Sequence, residues 1–175
     1  MNFKDKELRL ICYTDASLGN LPNRVDTARG YIIYLVDETG IGSVLCWSSN
    51  KIRRVVHSAF GAETLGFLDG IAAAIYLRSI LCEILFQDVK SNVIPIIAVT
   101  DSNQLVQNVK STKQCSDHKL RLYISEIQES IEKDGIIMKW TSTKDQLADC
   151  LTKKTANSYR MCQTCEFGSL TDCVF

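Results

Sequence analysis

Short apolar runs and one long apolar stretch divide the first hundred residues, and the two patterns predict different elements. Leu8 to Thr14 reads as a strand, "RGYIIYLVDE" (Arg29 to Glu38) as a second and "SVLCWSS" (Ser43 to Ser49) as a third. Their β-branched and aromatic content, with the "ETG" turn at Glu38 to Gly40, predicts an antiparallel meander. From Ser58 to Phe86 the spacing becomes helical. Phe67, Ile71, Ala74, Ile75, Cys82 and Leu85 mark one face, and Leu77 and Leu81 widen it. So wide an apolar surface predicts a helix that lies on a sheet and is shielded by something else as well.

"VIPIIAVT" (Val93 to Thr100) is a continuous apolar run, the pattern of a central strand covered on both faces. A short helix, "SNQLVQNVK", follows it. The clearest amphipathic helix comes next, with Leu120, Tyr123, Ile124, Ile127 and Ile131 at helical spacing, Ser116 or Asp117 as its cap and Gly135 as its stop. "IIMKWT" (Ile136 to Thr141) reads as the last strand, and "KDQLADCLTKK" opens a final helix. The order predicts an α/β domain over residues 8–156: a mixed five-stranded sheet, three antiparallel strands then parallel ones reached through helices, with helices on both faces. Residues 1–7 read as an N-terminal extension, and 157–175 as a tail that is helical at first and then frayed.

Composition changes this picture little. The chain has 175 residues, 46% hydrophobic and 23% charged, with a formal net charge of +0. That balance suits one globular domain and gives no bulk attraction to nucleic acid, although a local patch can serve a neutral domain. No uninterrupted apolar run reaches the ~18 residues of a membrane helix, and the "MNFKDKELRL" start lacks a signal-peptide core, so an intracellular protein with no membrane partner is expected. The eight cysteines then belong to a reducing compartment, with Cys12, Cys46 and Cys82 in core patterns. "CQTC" (Cys162 to Cys165) has the spacing of half a zinc site, but no second pair follows.

Charge matters more in its placement. Most acids read as solvated: Glu126, Glu129, Glu132 and Asp134 on the polar side or end of their helix, Asp37 and Glu38 in a turn, Asp26 in a loop. Four stand apart. Asp15 and Asp101 end apolar strands, Glu63 opens the long apolar helix, and Asp149 lies among Leu147, Ala148, Cys150 and Leu151. Each alone has a bland reading as a turn-former or first-turn charge. Converging at one end of a sheet, they would repel one another unless cations neutralised them, and hard oxygen ligands in that number suit Mg²⁺ or Mn²⁺. Asp69 is excluded, because it lies about 240° round the helix from Glu63.

The segments "YTDAS", "AETLGFLDGI", "VTDSNQL" and "DQLADCLTK", in that order, resemble a ribonuclease H domain. With "CWSSNKIRRVVHSAFGAET" and "TSTKDQLADCLTKK", they resemble more specifically the one ending the Pol polyprotein of Ty1/copia-type retrotransposons. The likeness spans residues 8 to 170. It implies an RNase H-like fold, hydrolysis of the RNA strand of RNA–DNA hybrids, and two Mg²⁺ or Mn²⁺ ions held by Asp15, Glu63, Asp101 and Asp149. It also implies that Ser17, Ser102 and Asn103 face substrate, although they read equally well as turn and N-cap groups. Lys51, Arg53 and Arg54 form the best basic cluster, suited to phosphate contact or simply to a solvated loop.

The chain departs from the wider family in two ways. The histidine that many relatives carry before the last Asp, there linked to product release, is absent from "TSTKDQLAD", and the helix matching the basic hybrid-gripping helix of some cellular enzymes is acidic. A non-enzymatic alternative therefore stands beside the nuclease: an idle or domesticated module that packs against a reverse transcriptase, the domain that normally precedes this one in Pol. An integrase core fits less well, since integrases keep three acids and a different final motif.

Overall fold

The computed structural model describes residues 7–19, 27–88, 92–111, 115 and 117–170. The extension before residue 7, the Asp26 loop, Ser116 as a cap and the end of the tail lie outside the described residues. Five strands form one sheet: β1 (Arg9–Ser17), β2 (Thr27–Val36), β3 (Gly42–Ile52), β4 (Ile96–Thr100) and β5 (Ile137–Trp140). Its order is β3-β2-β1-β4-β5, with β1–β2 and β2–β3 antiparallel and β1–β4 and β4–β5 parallel. The expected meander and parallel additions are therefore both present.

Alternation along β1 sends its side chains into two cores. Leu10 and Cys12 pack with Ile33, Ile96 and Ala98 under α1 (Ala59–Phe86), α2 (Asn103–Lys110) and α3 (His118–Asp134). Ile11 and Tyr13 face the other way, with Ile32, Tyr34, Val99, Leu147 and Ala148, under α4 (Asp149–Thr152) and α5 (Tyr159–Phe167). Helices thus cover both faces. Helix α1 starts on a Ser58 side-chain cap, and Asp117 caps α3, which Gly135 ends at a φ of 64°.

Helix α1 is the described element long and apolar enough to cross a membrane, with a mean hydropathy of 1.6 over its best window, a property that run length alone understated. It lies on the sheet instead, burying Phe67, Ile71, Ala74 and Cys82. Part of its other side is shielded by α3, as its width predicted, while Tyr76 and Ile84 stay exposed.

Four expectations need correction. The fourth strand starts at Ile96 rather than Val93, because the chain enters through Pro95, whose carbonyl accepts from the Leu10 amide at 2.9 Å. The final helix is broken into a 3-10 turn (Thr143–Asp145) and the four-residue α4. Between them Gln146 turns inward, donating to the Thr14 carbonyl at 3.0 Å and accepting from the Ala148 amide at 3.3 Å. Asp134 is not simply solvated: its carboxylate and its carbonyl both accept from buried Arg78, at 2.8 and 2.6 Å. Cys46 is half-buried on β3, packed against the rim of the core instead of inside it.

Candidate active site

The register of the two central strands brings the first two acids together. Tyr13 of β1 pairs with Val99 of the parallel β4, so two residues further along both strands come Asp15 and Asp101. Their position is the carboxyl end of the sheet, at the point where strand order reverses, the usual ligand crevice of such sheets.

Glu63 arrives from above. It lies in the second turn of α1, whose first turn holds no acid, so the helix N-terminus favours its charge less than the sequence suggested. Two glycines let α1 come down onto β1 at this point. A Cβ on Gly66 would lie 3.3 Å from the Asp15 carbonyl oxygen, and one on Gly70 would lie 2.3 Å from Thr14 Cγ2. The close approach accounts for residues that otherwise only weaken a helix. In consequence, one carboxylate oxygen each from Asp15, Glu63 and Asp101 lies within 4.8 Å of the other two.

Asp149, the fourth predicted acid, stands outside this trio and joins it through a lysine. Lys153 Nζ donates to Asp149 Oδ1 one helical turn back, and reaches Asp15 Oδ1 at 3.4 Å. Thr152 Oγ1 donates to the second Asp15 oxygen. Asp101 Oδ2 accepts from Thr143 Oγ1 at 2.8 Å, while the Asp101 carbonyl accepts from Trp140 Nε1 at 3.0 Å.

Burial dominates the electrostatics. It pushes the Asp15 carboxyl up to about 6; the Asp101 and Asp149 charges add to the rise, and the Thr152 hydrogen bond and Lys153 oppose it. Burial, and after it the charges of Asp15 and Asp101, pushes Glu63 up to about 9. Burial works against the Lys153 charge, but the Asp149 hydrogen bond and the three aspartates outweigh it and hold the ammonium above its ordinary range. The cluster is a place where negative charge is costly.

The predicted substrate-facing residues fall in different settings. Ser17 is buried and donates to the Thr152 carbonyl at 2.9 Å, fastening α4 to β1. Ser102 caps α2, accepting from the Leu105 amide at 3.3 Å, and Asn103 is exposed in the first turn. Lys51 lies near the end of β3, and Arg53 and Arg54 follow in the loop; all three are exposed. They line an open cavity of about 610 Å³ with Arg29, Leu65, Asp69 and Tyr123, beside the carboxylate trio rather than within it. Arg54 donates to the Tyr123 hydroxyl at 2.6 Å, and Asp69, excluded on helical geometry, pairs with Arg29.

Sequence reasoning passed over Thr143, Gln146, Thr152 and Lys153. Lys153 had a signal: a base four residues after an acid on a helix can pair with it. The others had none, since their partners Asp101, Thr14 and Asp15 are distant in sequence. Cys162 and Cys165 lie exposed on α5 as free thiols.

No protein-family model matches the chain, and no curated protein matches it. Solved structures do. The N-terminal RNase H domain of Rv2228c from Mycobacterium tuberculosis superposes with a TM-score of 0.61 at 18% identity, covering 90% of this chain and 98% of that one. LC11-RNase H1, isolated from compost and solved with an RNA/DNA hybrid, gives 0.57 at 18% identity, covering 82% and 93%. A foamy viral protease-reverse transcriptase solved with double-stranded DNA gives 0.50 at 17%, covering 91% and 99%. Together with the strand order, these likenesses show that the chain has the RNase H-like fold.

Proposed function

We propose that this protein is a divalent-metal-dependent ribonuclease that cuts the RNA strand of RNA–DNA hybrids. The observation that carries the reading is the trio of Asp15 and Asp101, towards the carboxyl ends of β1 and β4, with Glu63 of α1, in an RNase H-like fold. The donors suit the metal. All three are hard oxygens, and they lie within 4.8 Å of one another, near enough for one Mg²⁺ to draw them together. Mg²⁺ or Mn²⁺ bound there would stabilise charge on the attacking and leaving oxygens of an in-line phosphoryl displacement.

The remaining roles belong to the chain itself. Asp15 is held within β1 by its pairing with Gly30 and Asp101 directly follows β4, Glu63 closes the trio from α1, and Asp149 supplies a fourth carboxylate beside it. Ser17, Ser102 and Asn103 lie near the acids in sequence, and Lys51, Arg53 and Arg54 suit contact with the phosphate backbone. Hybrid recognition by shape and 2′-hydroxyl contact needs no base-edge readout. The finer assignment is to a copia-like retrotransposon Pol polyprotein, supported by the "DQLADCLTK" ending, with a reverse transcriptase domain as partner. The hybrid-bound neighbour supports the substrate, and the foamy viral neighbour supports that partner.

A labelled hybrid incubated with Mn²⁺ or Mg²⁺ tests the activity. The wild type is expected to cut the RNA strand, and Asp101→Asn to slow it roughly a thousandfold or more. A folded wild type that leaves the RNA intact with both ions overturns the nuclease and leaves the idle module.

A further inference from the structure

The carboxylate cluster holds a cation of its own. Lys153 Nζ is shared between Asp149 Oδ1 and Asp15 Oδ1, the latter at 3.4 Å. We propose that Lys153 is a built-in counter-ion that occupies the Asp149 side of the cluster in the metal-free protein, so that divalent ions load in two unequal stages. The inference rests on the metal-site reading above and deepens it.

The argument is one of space and charge. A divalent ion held by Asp15 and Asp149 would take the place that the Lys153 ammonium fills between them. The two cations cannot share that gap, and at such separation they repel. The Glu63 and Asp101 oxygens, by contrast, make no contact with Lys153 among the described hydrogen bonds and ion pairs, so a first ion can load there without displacing it.

The fold fixes the backbone of this device and frees its tip. Thr152 Oγ1 is bonded to Asp15, Ser17 Oγ holds the Thr152 carbonyl at 2.9 Å, and Ser49 Oγ holds the Leu151 carbonyl at 2.5 Å. Opposite Leu151 stands Gly30, where a Cβ would come within 2.7 Å of the Leu151 Cβ. The α4 seat is therefore tight. The Lys153 side chain is 30% exposed, and its flexible four-carbon stem gives the ammonium a way out to solvent when a second ion arrives.

The test is a Mn²⁺ titration of the full chain, followed by the electron paramagnetic resonance signal of free Mn²⁺ and by calorimetry. The wild type is expected to bind its second ion at least about tenfold more weakly than its first, within the usual range of coupling between sites. Lys153→Met should close most of that gap, and Lys153→Arg, which keeps the charge, should restore it. In EDTA, Lys153→Met should also melt at a lower temperature than wild type, because the cluster loses its counter-charge. Lys153→Gln gives the same comparison if the methionine variant does not fold. Identical stepwise constants in wild type and the uncharged variants overturn the proposal while leaving hybrid cleavage untouched. No Mn²⁺ binding by any of them overturns it together with the metal-site reading.

Discussion

Helix α1 carries one end of each of two charge clusters, and the two are balanced differently. Arg78 is 3% exposed and meets a single carboxylate, Asp134, plus that residue's own carbonyl. Positive and negative are matched there, and nothing from outside is needed. About 22 Å back along the helix, Glu63 joins Asp15 and Asp101, and a single lysine links Asp15 to Asp149. That cluster is left with a surplus of negative charge. A matched pair is a structural device, whereas a surplus held in place by rigid elements marks a site that expects a cation.

The contrast can be broken at several points. The largest expected effect is on the matched pair: Arg78→Met, which removes both hydrogen bonds to Asp134, should cost about 2–3 kcal/mol in urea unfolding. Cleavage by the protein that remains folded should be unchanged. A loss well under 1 kcal/mol would mean that the pair is not the closed unit described. Next comes the mount of the acidic cluster. Gly70→Ala puts a methyl 2.3 Å from Thr14 Cγ2, and lifting α1 away from β1 should cost about 1–3 kcal/mol. Cleavage should fall further than stability, because Glu63 is displaced with the helix.

Acidity gives a third handle, with a definite sign. Burial raises Asp15 from 3.8 to about 6 and Glu63 from 4.5 to about 9. Both groups then bind protons more tightly in the folded chain than in the unfolded one. The stability they contribute is full below pH ~4 and is lost as pH rises through their folded values. In EDTA, the urea midpoint should therefore be lower at pH 8 than at pH 5, and saturating Mn²⁺ should reduce the difference. Equal midpoints in EDTA would show that the surplus charge is not felt.

The smallest effects belong to the exposed basic loop. Arg53→Ala and Arg54→Ala should each weaken hybrid binding and make its salt dependence shallower by about one phosphate contact, with the rate at saturation nearly unchanged. A large fall in that rate would place these residues at the reacting phosphate instead.

How much of this was legible in the chain varies residue by residue. The meander, the long helix and the amphipathic α3 followed from apolar spacing, because each buries one face against something large. Asp15 and Asp101 were visible as acids ending apolar strands, and the register Tyr13 to Val99 then placed them side by side. The break in the final helix was not visible. "KDQLADCLTKK" has helical composition, and a single buried side chain, Gln146, overrides it by bonding across to β1. Asp134 looked solvated because its partner Arg78 lies 56 residues away. Local pattern finds the elements and the odd charges on them. It does not find the distant group that satisfies each charge.

The central claim, that the surplus charge at Asp15, Glu63 and Asp101 is there to hold a divalent cation, is tested most directly by thermal unfolding with and without Mn²⁺. A ligand bound only by the folded state must stabilise it, by about 2.7 kcal/mol at a hundred times its Kd. The wild-type Tm should rise by several degrees on adding Mn²⁺ after EDTA, and Asp101→Asn should lose most of that rise. A wild-type Tm that does not move with Mn²⁺ would contradict the account.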